Sequence, residues 1–203
     1  MSVVVKICGV RTADDARAAV DAGADLLGLN FVPASPRYVD PAAARAVARA
    51  VPGTPLVGVF VDAPRETVEQ IAADVGLAGL QFHGAESPAD CRGWQQWTIK
   101  ALRARPGDDV AARAAEYDTT YVMLDSYVDG VAGGTGVALD PIVAGTLPPE
   151  RLFVAGGLRP DTVVQVVQRV RPYGVDVASG VERSPGVKDH GKIQEFIRRA
   201  KAA

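Results

Sequence analysis

The 203-residue chain is short of the residues that staple small proteins or bind metals, with only two cysteines and two histidines. Cys8 and Cys91 do not form a Cys-x-x-Cys, which argues against a disulfide scaffold, a thiolate zinc site and a thioredoxin-type redox motif, and fits a reducing compartment. Excess positive charge is missing too. With 22 Lys and Arg against 24 Asp and Glu, the formal charge of −2 offers no basic field to nucleic acid or to an anionic membrane, so an anionic ligand must be met by local groups. No apolar run approaches the ~18 residues of a spanning helix, and the N-terminus lacks a basic segment followed by an apolar one. A cytoplasmic protein with neither a nucleic-acid nor a membrane partner is expected. There is no Gly-x-Gly-x-x-Gly, and residues 186–193 (GVKDHGKI) miss the P-loop pattern at Ile193, where a Mg²⁺-ligating Ser or Thr is needed.

What the chain does have is a rhythm. Short Val-, Leu- and Ile-rich runs recur at 3–8, 25–31, 56–61, 79–83, 97–102, 120–125, 151–156 and 174–179. Between them lie helical repeats at i, i+3, i+4 and i+7, as in Val68, Ile71, Ala72 and Val75, in Val163, Val166, Val167 and Val170, and in Ile193, Phe196, Ile197 and Ala200. Thr12 with Asp15 reads as a capping box, Pro41, Pro64 and Pro160 suit first turns, and Gly23, Gly76 and Gly174 suit left-handed helix ends. Eight strand–helix units without linkers favour an α/β fold, a single-domain (β/α)₈ TIM barrel over residues 1–203, rather than an open doubly wound sheet.

In such a barrel the chemistry collects at the C-terminal ends of the strands. That edge carries Cys8, Asn30, His83, Asp125, Gly156 with Gly157, and Ser179 with Gly180. Glycine and serine after strands 7 and 8 suit a phosphate held by backbone N–H groups, with residues 181–184 (VERS) as a candidate short helix beside it. Cys8 from strand 1 and Asp125 from strand 6 would face one another across the mouth, as any acid and base acting on opposite sides of one substrate would need to do.

Six motifs then carry a resemblance: KICG (6–9), SPRYV (35–39), LQFHG (80–84), Asp125 with the later GGTG (133–136), AGGL (155–158), and GVDVASGVE with PGVKD (174–189). In this order they resemble phosphoribosylanthranilate isomerase of tryptophan biosynthesis. The resemblance implies an Amadori rearrangement of N-(5-phosphoribosyl)anthranilate, with Cys8 as general base, Asp125 as general acid and Arg37 as partner of the anthranilate carboxylate. It further implies His83 and Asp176 as substrate-binding residues, and Gly156, Gly157, Ser179 and Gly180 around the phosphate. The only partner implied is this small phosphosugar, with no cofactor and no metal, in a monomer or homodimer. Two departures stand out: residues 137–141 (VALDP) follow GGTG in place of the usual basic and aromatic residues, and Ala178 replaces the first serine of Ser-Ser-Gly. The alternatives are the related histidine-pathway sugar isomerase or a bifunctional enzyme serving both pathways, and a catalytically silent barrel that binds a phosphorylated ligand or a partner protein.

Strand alternation puts Lys6 on the same face as Cys8. If the sheet closes, strand 8 lies beside strand 1, and Asp176 is the expected inward partner for an ammonium that would otherwise be costly to bury. The alternative has Lys6 facing outward with its head in water.

Overall fold

Eight parallel strands close on one another in sequence order: β1 (Val4–Cys8), β2 (Leu26–Asn30), β3 (Leu56–Phe60), β4 (Gly79–Phe82), β5 (Trp97–Ala104), β6 (Tyr121–Ser126), β7 (Leu152–Ala155) and β8 (Gly174–Val177), with β8 pairing back onto β1. The computed structural model describes residues 2–104, 108–126 and 146–203. GGTG and the departure at 137–141 lie outside the described residues.

The strands separate two apolar layers. Leu26, Val57, Ile99, Ala101, Met123, Phe153 and Ala155 fill the barrel interior, whereas Val5, Ile7, Leu27, Leu29, Leu80, Leu124, Val154 and Val175 face the helices. This is the two-residue period of a closed sheet with a packed lumen and a covered exterior. Burial on both faces explains why the strands read as continuous apolar runs.

Around the barrel lie α1 (Ala13–Asp21), α2 (Pro41–Ala50), α3 (Arg65–Val75), α4 (Val110–Ala115), α5 (Val163–Val170) and α6 (His190–Lys201). Their starts follow the sequence signals in part. Thr12 Oγ1 accepts from the Asp15 N–H, and Pro41 opens α2, but Pro64 is the N-cap of α3 rather than its first turn, and Pro160 precedes α5 by three residues. Of the apolar repeats, Ile193, Phe196, Ile197 and Ala200 are all buried on α6.

Two expectations need correcting. Gly174 does not end a helix: α5 stops at Arg171, which itself takes the left-handed conformation, and Gly174 is needed because a Cβ there would collide with the Phe153 ring. Residues 181–184 do not form a helix. A short 3₁₀ turn spans Ser179–Val181, and Glu182–Ser184 then forms β9, paired antiparallel with β10 (Val187–Lys188).

Among the described residues no helix lies between β4 and β5. That connection is pinned instead by the buried Glu86, whose carboxylate accepts from the Asp62 and Gly84 N–H groups at 2.8 Å each and pairs with Lys100 Nζ at 2.7 Å. A buried ion pair with its lone pairs filled in this way is the tolerable kind.

Candidate active site

At the C-terminal ends of the strands a cavity of about 350 Å³ is lined by Cys8, Asn30, Arg37, Gln81, His83, Arg103, Asp125, Gly156, Gly157, Asp176 and Ser179, among others. The structure thus gathers both proposed catalytic groups and nearly every expected binding residue around one space. A wider groove, about 770 Å³, runs between Arg11, Tyr38 and His190, but Cys8, His83 and Asp125 lie outside it.

Cys8 ends β1, pointing inward two residues after Lys6. Neighbouring strand β2 makes room with a glycine: a Cβ on Gly28 would come within 2.8 Å of Cys8 Sγ and 3.0 Å of Lys6 Nζ. Lys6 is fully buried and donates to Asp176 Oδ1 at 2.6 Å, in register across the β1–β8 seam. Burial alone would drive the ammonium to lose its proton, but Asp176 and Cys8 hold its pKa above the ordinary lysine value. Asp176, expected to bind substrate, is therefore committed first to Lys6.

Burial has the larger say over the thiol and pushes the Cys8 pKa up, with Asp176 reinforcing it and Lys6 and Lys188 opposing. Lys6→Met should therefore destabilise the fold by about 3 to 5 kcal/mol, since it strands a buried carboxylate. It should also raise the apparent Cys8 pKa further, read from the pH dependence of iodoacetamide alkylation by mass mapping. An unchanged alkylation profile would rule out any influence of the ammonium on the thiol.

His83 and Asp125 meet directly, with Nε2 3.1 Å from Oδ2, and His83 Nδ1 lies 2.9 Å from Gln81 Nε2. Asp125 stands beside Arg103 in the β5–β6 register. Both members of the His83–Asp125 pair are partly open to solvent through the cavity.

Arg37 is held side-on by Glu182, with Nε and Nη2 each 2.8 Å from a carboxylate oxygen. A side-on fork uses two of the five guanidinium N–H groups, so the end-on edge formed by Nη1 and Nη2 remains able to grip a second carboxylate. Gly9 makes this placement feasible: its φ of +73° is left-handed, and a Cβ would press within 2.7 Å of the Arg37 stem. Glu182 also accepts from Lys188 Nζ at 3.1 Å, and Lys188 donates to the Ala178 carbonyl at 3.0 Å. Against the cost of burial, Arg37 and Lys188 keep the Glu182 carboxyl below its usual range. Burial lowers the Lys188 pKa, with Glu182 opposing.

The phosphate-type loops also come together. Gly156 and Gly157 follow β7 with φ of +82° and +64°, left-handed values that glycine adopts without strain. Ser179 and Gly180 form the 3₁₀ turn after β8, and Gly180 packs so closely on the Leu158 carbonyl that no side chain would fit. Gly180 therefore serves as the contact between the two loops, while Ser179 lines the cavity.

Sequence reasoning missed Gln81, Glu182 and Lys188. Gln81 sits inside an apolar run, and Lys188 belongs to the segment set aside as a failed P-loop. The inward parity of Gln81 with His83 was the signal available for the first, whereas Glu182 and Lys188, each followed by another charged residue, carry no such signal.

The chain is similar throughout its length to known proteins. A family model described as N-(5'phosphoribosyl)anthranilate (PRA) isomerase matches residues 5–199. An N-(5'-phosphoribosyl)anthranilate isomerase of Pseudomonas aeruginosa is 46% identical over 198 residues, covering 97% of this chain and 94% of the relative. Among solved structures, phosphoribosyl anthranilate isomerase from Thermotoga maritima superposes with a TM-score of 0.88 at 35% identity, covering 99% of this chain and 100% of its own. A further isomerase structure, in complex with reduced 1-(o-carboxyphenylamino)-1-deoxyribulose 5-phosphate, gives a TM-score of 0.85 at 34% identity over 99% of this chain and 100% of that one. With nearly the whole barrel matched at this level, the chain belongs to the N-(5'-phosphoribosyl)anthranilate isomerase family.

Proposed function

We infer that the protein is the isomerase of tryptophan biosynthesis that converts N-(5'-phosphoribosyl)anthranilate to 1-(2-carboxyphenylamino)-1-deoxyribulose 5-phosphate, with Asp125 as general acid and Cys8 as general base. The observation that carries the residue roles is that Cys8 and Asp125, three strands apart around the barrel, line one cavity with the glycine loops of β7 and β8. Asp125 protonates the furanose ring oxygen, and the ring opens to a Schiff base. Cys8, as thiolate, removes the C2 proton to give an enolamine, which takes a proton at C1 and loses one from the C2 hydroxyl to become the ketone. Protons gained and lost balance, as an isomerisation requires. One acid and one base suffice.

Gly156, Gly157 and Ser179 offer backbone donors to the phosphate, with Gly180 fixing the loop beneath them. Arg37 takes the anthranilate carboxylate on its end-on edge while Glu182 keeps the guanidinium in place. His83 and Asp176 act through Asp125 and Lys6, and from the wall of the same cavity they share in binding the substrate. The active unit is a monomer or a homodimer.

Turnover is tested with phosphoribosylanthranilate generated in situ, followed by the loss of anthranilate-type fluorescence. Steady loss supports the isomerase, and its absence supports a silent phosphosugar-binding barrel. Arg37→Ala should raise KM by about 10- to 100-fold with a smaller change in kcat, as expected for loss of a charge-assisted carboxylate contact worth about 1.5 to 3 kcal/mol. A product analogue lacking the carboxylate should bind wild type and Arg37→Ala alike, and a strong preference for wild type would contradict the pairing.

A further inference from the structure

Among the described residues one buried side-chain polar atom makes no hydrogen bond, Gln81 Oε1, and it belongs to a residue that is 1% exposed beneath the catalytic mouth. Gln81 and His83 share the inward face of β4, and the line of contacts runs from Gln81 Nε2 to His83 Nδ1 at 2.9 Å and from His83 Nε2 to Asp125 Oδ2 at 3.1 Å. Asp125 Oδ2 accepts from His83 Nε2 whenever that nitrogen carries the ring proton, and the Gln81 side decides whether it does. Gln81 Nε2 can only donate, so Nδ1 facing it must hold a lone pair, and the ring is neutral. Turning the amide over would put Oε1 on Nδ1 and demand a proton there, either the opposite tautomer or an imidazolium. It would also leave both N–H groups of a buried amide unpaired in the place where Oε1 now lacks a donor, and an orphaned donor is less tolerable than an under-satisfied oxygen. The unpaired oxygen is the smaller of two costs.

The surroundings leave Asp125 as the carboxylate that governs the ring. From β5, Arg103 lines the same cavity, and β3 brings no titratable side chain along Leu56–Phe60. Asp62 accepts from the Ala85 N–H, and Lys100 and Glu86 pair with one another beside Gly84, on the other side of the strand-end loop.

We propose that Gln81 is a positioning residue for the proton donor: it holds His83 as the neutral Nε2–H tautomer, so that the catalytic proton resides on the second oxygen of Asp125 and not on the imidazole. When Asp125 gives that proton to the furanose oxygen, the new carboxylate meets an Nε2–H bond already in place, and no dipole has to reorient. Were Nδ1 free to take the proton, Asp125 would stand as a carboxylate beside an imidazolium, with nothing to donate from the oxygen. The role assigned to Asp125 rests on the isomerase reading; the ring tautomer does not.

The chain has two histidines, so ¹⁵N-histidine labelling gives two rings, and His190→Gln assigns them. At pH 7.5 wild-type His83 should show a protonated Nε2 and a bare Nδ1. Gln81→Glu, nearly the same shape, sets an acceptor on Nδ1 and should protonate both nitrogens; Gln81→Leu should lose the single tautomer. Both variants should lower kcat by about ten-fold or more while KM stays within about three-fold, the split expected of a group acting only in the transition state. A protonated Nδ1 in wild type, an unaltered ring in both variants, or full kcat in a variant whose ring has changed would each overturn the proposal. A wild-type protein with the expected tautomer but no turnover would overturn the isomerase reading and leave the ring assignment standing.

Discussion

Cys8→Ser should cut kcat by about 10²- to 10⁴-fold, the usual worth of a general base, while the circular dichroism spectrum and melting curve stay close to wild type. The exchange is almost isosteric, and the notch left by Gly28 accommodates either atom. A serine hydroxyl, however, is far harder to ionise than a thiol even with Lys6 paired beneath it. The pH dependence of the wild type carries the same information. Because burial holds the Cys8 pKa above its ordinary value, the thiolate fraction grows with each step upward from neutrality, so kcat/KM should climb with pH through that range. In Cys8→Ser that climb should be gone. Activity within a few-fold of wild type would remove Cys8 from the mechanism.

The second large effect is expected of Asp125→Asn. An amide cannot hand a proton to the furanose oxygen, so kcat should fall by about 10²- to 10⁴-fold with KM little changed. The amide can still accept from His83 Nε2–H, which keeps the ring in place and separates the chemical loss from a structural one. If instead KM rose steeply at constant kcat, Asp125 would be a binding residue and the acid would have to be sought elsewhere in the cavity.

The legibility of these features in the sequence follows their physical cause. All eight strands were readable because each is buried on both faces, and burial writes an unbroken apolar run. Lys6 was readable as an inward charge because parity ties it to Cys8, and its partner followed from closure of the barrel; the 2.6 Å contact with Asp176 bears this out. Parity fails where the chain leaves the sheet. Glu182 and Lys188 lie in the β9–β10 hairpin after the last barrel strand, so nothing local reveals that Glu182 reaches back to Arg37 or that Lys188 pairs with Glu182. Gly174 was misread because glycine is used both for left-handed turns and for want of a side chain, and only the position of Phe153 tells which. The segment between β4 and β5 is held by a carboxylate and an ammonium far apart in pattern, a device with no periodicity to detect.

The Lys6–Asp176 pair also bears on how the chain comes into being. Its two ends are 170 residues apart, the first in the opening strand and the second in the closing one. At about 5 to 20 residues per second a ribosome would need roughly 10 to 30 s to supply the partner. For that interval β1 cannot take its final place without burying a naked ammonium, at a cost of several kcal/mol. A nascent barrel is therefore kept from sealing prematurely around its first strand, and a chain that breaks off before β8 carries a built-in penalty against passing for finished.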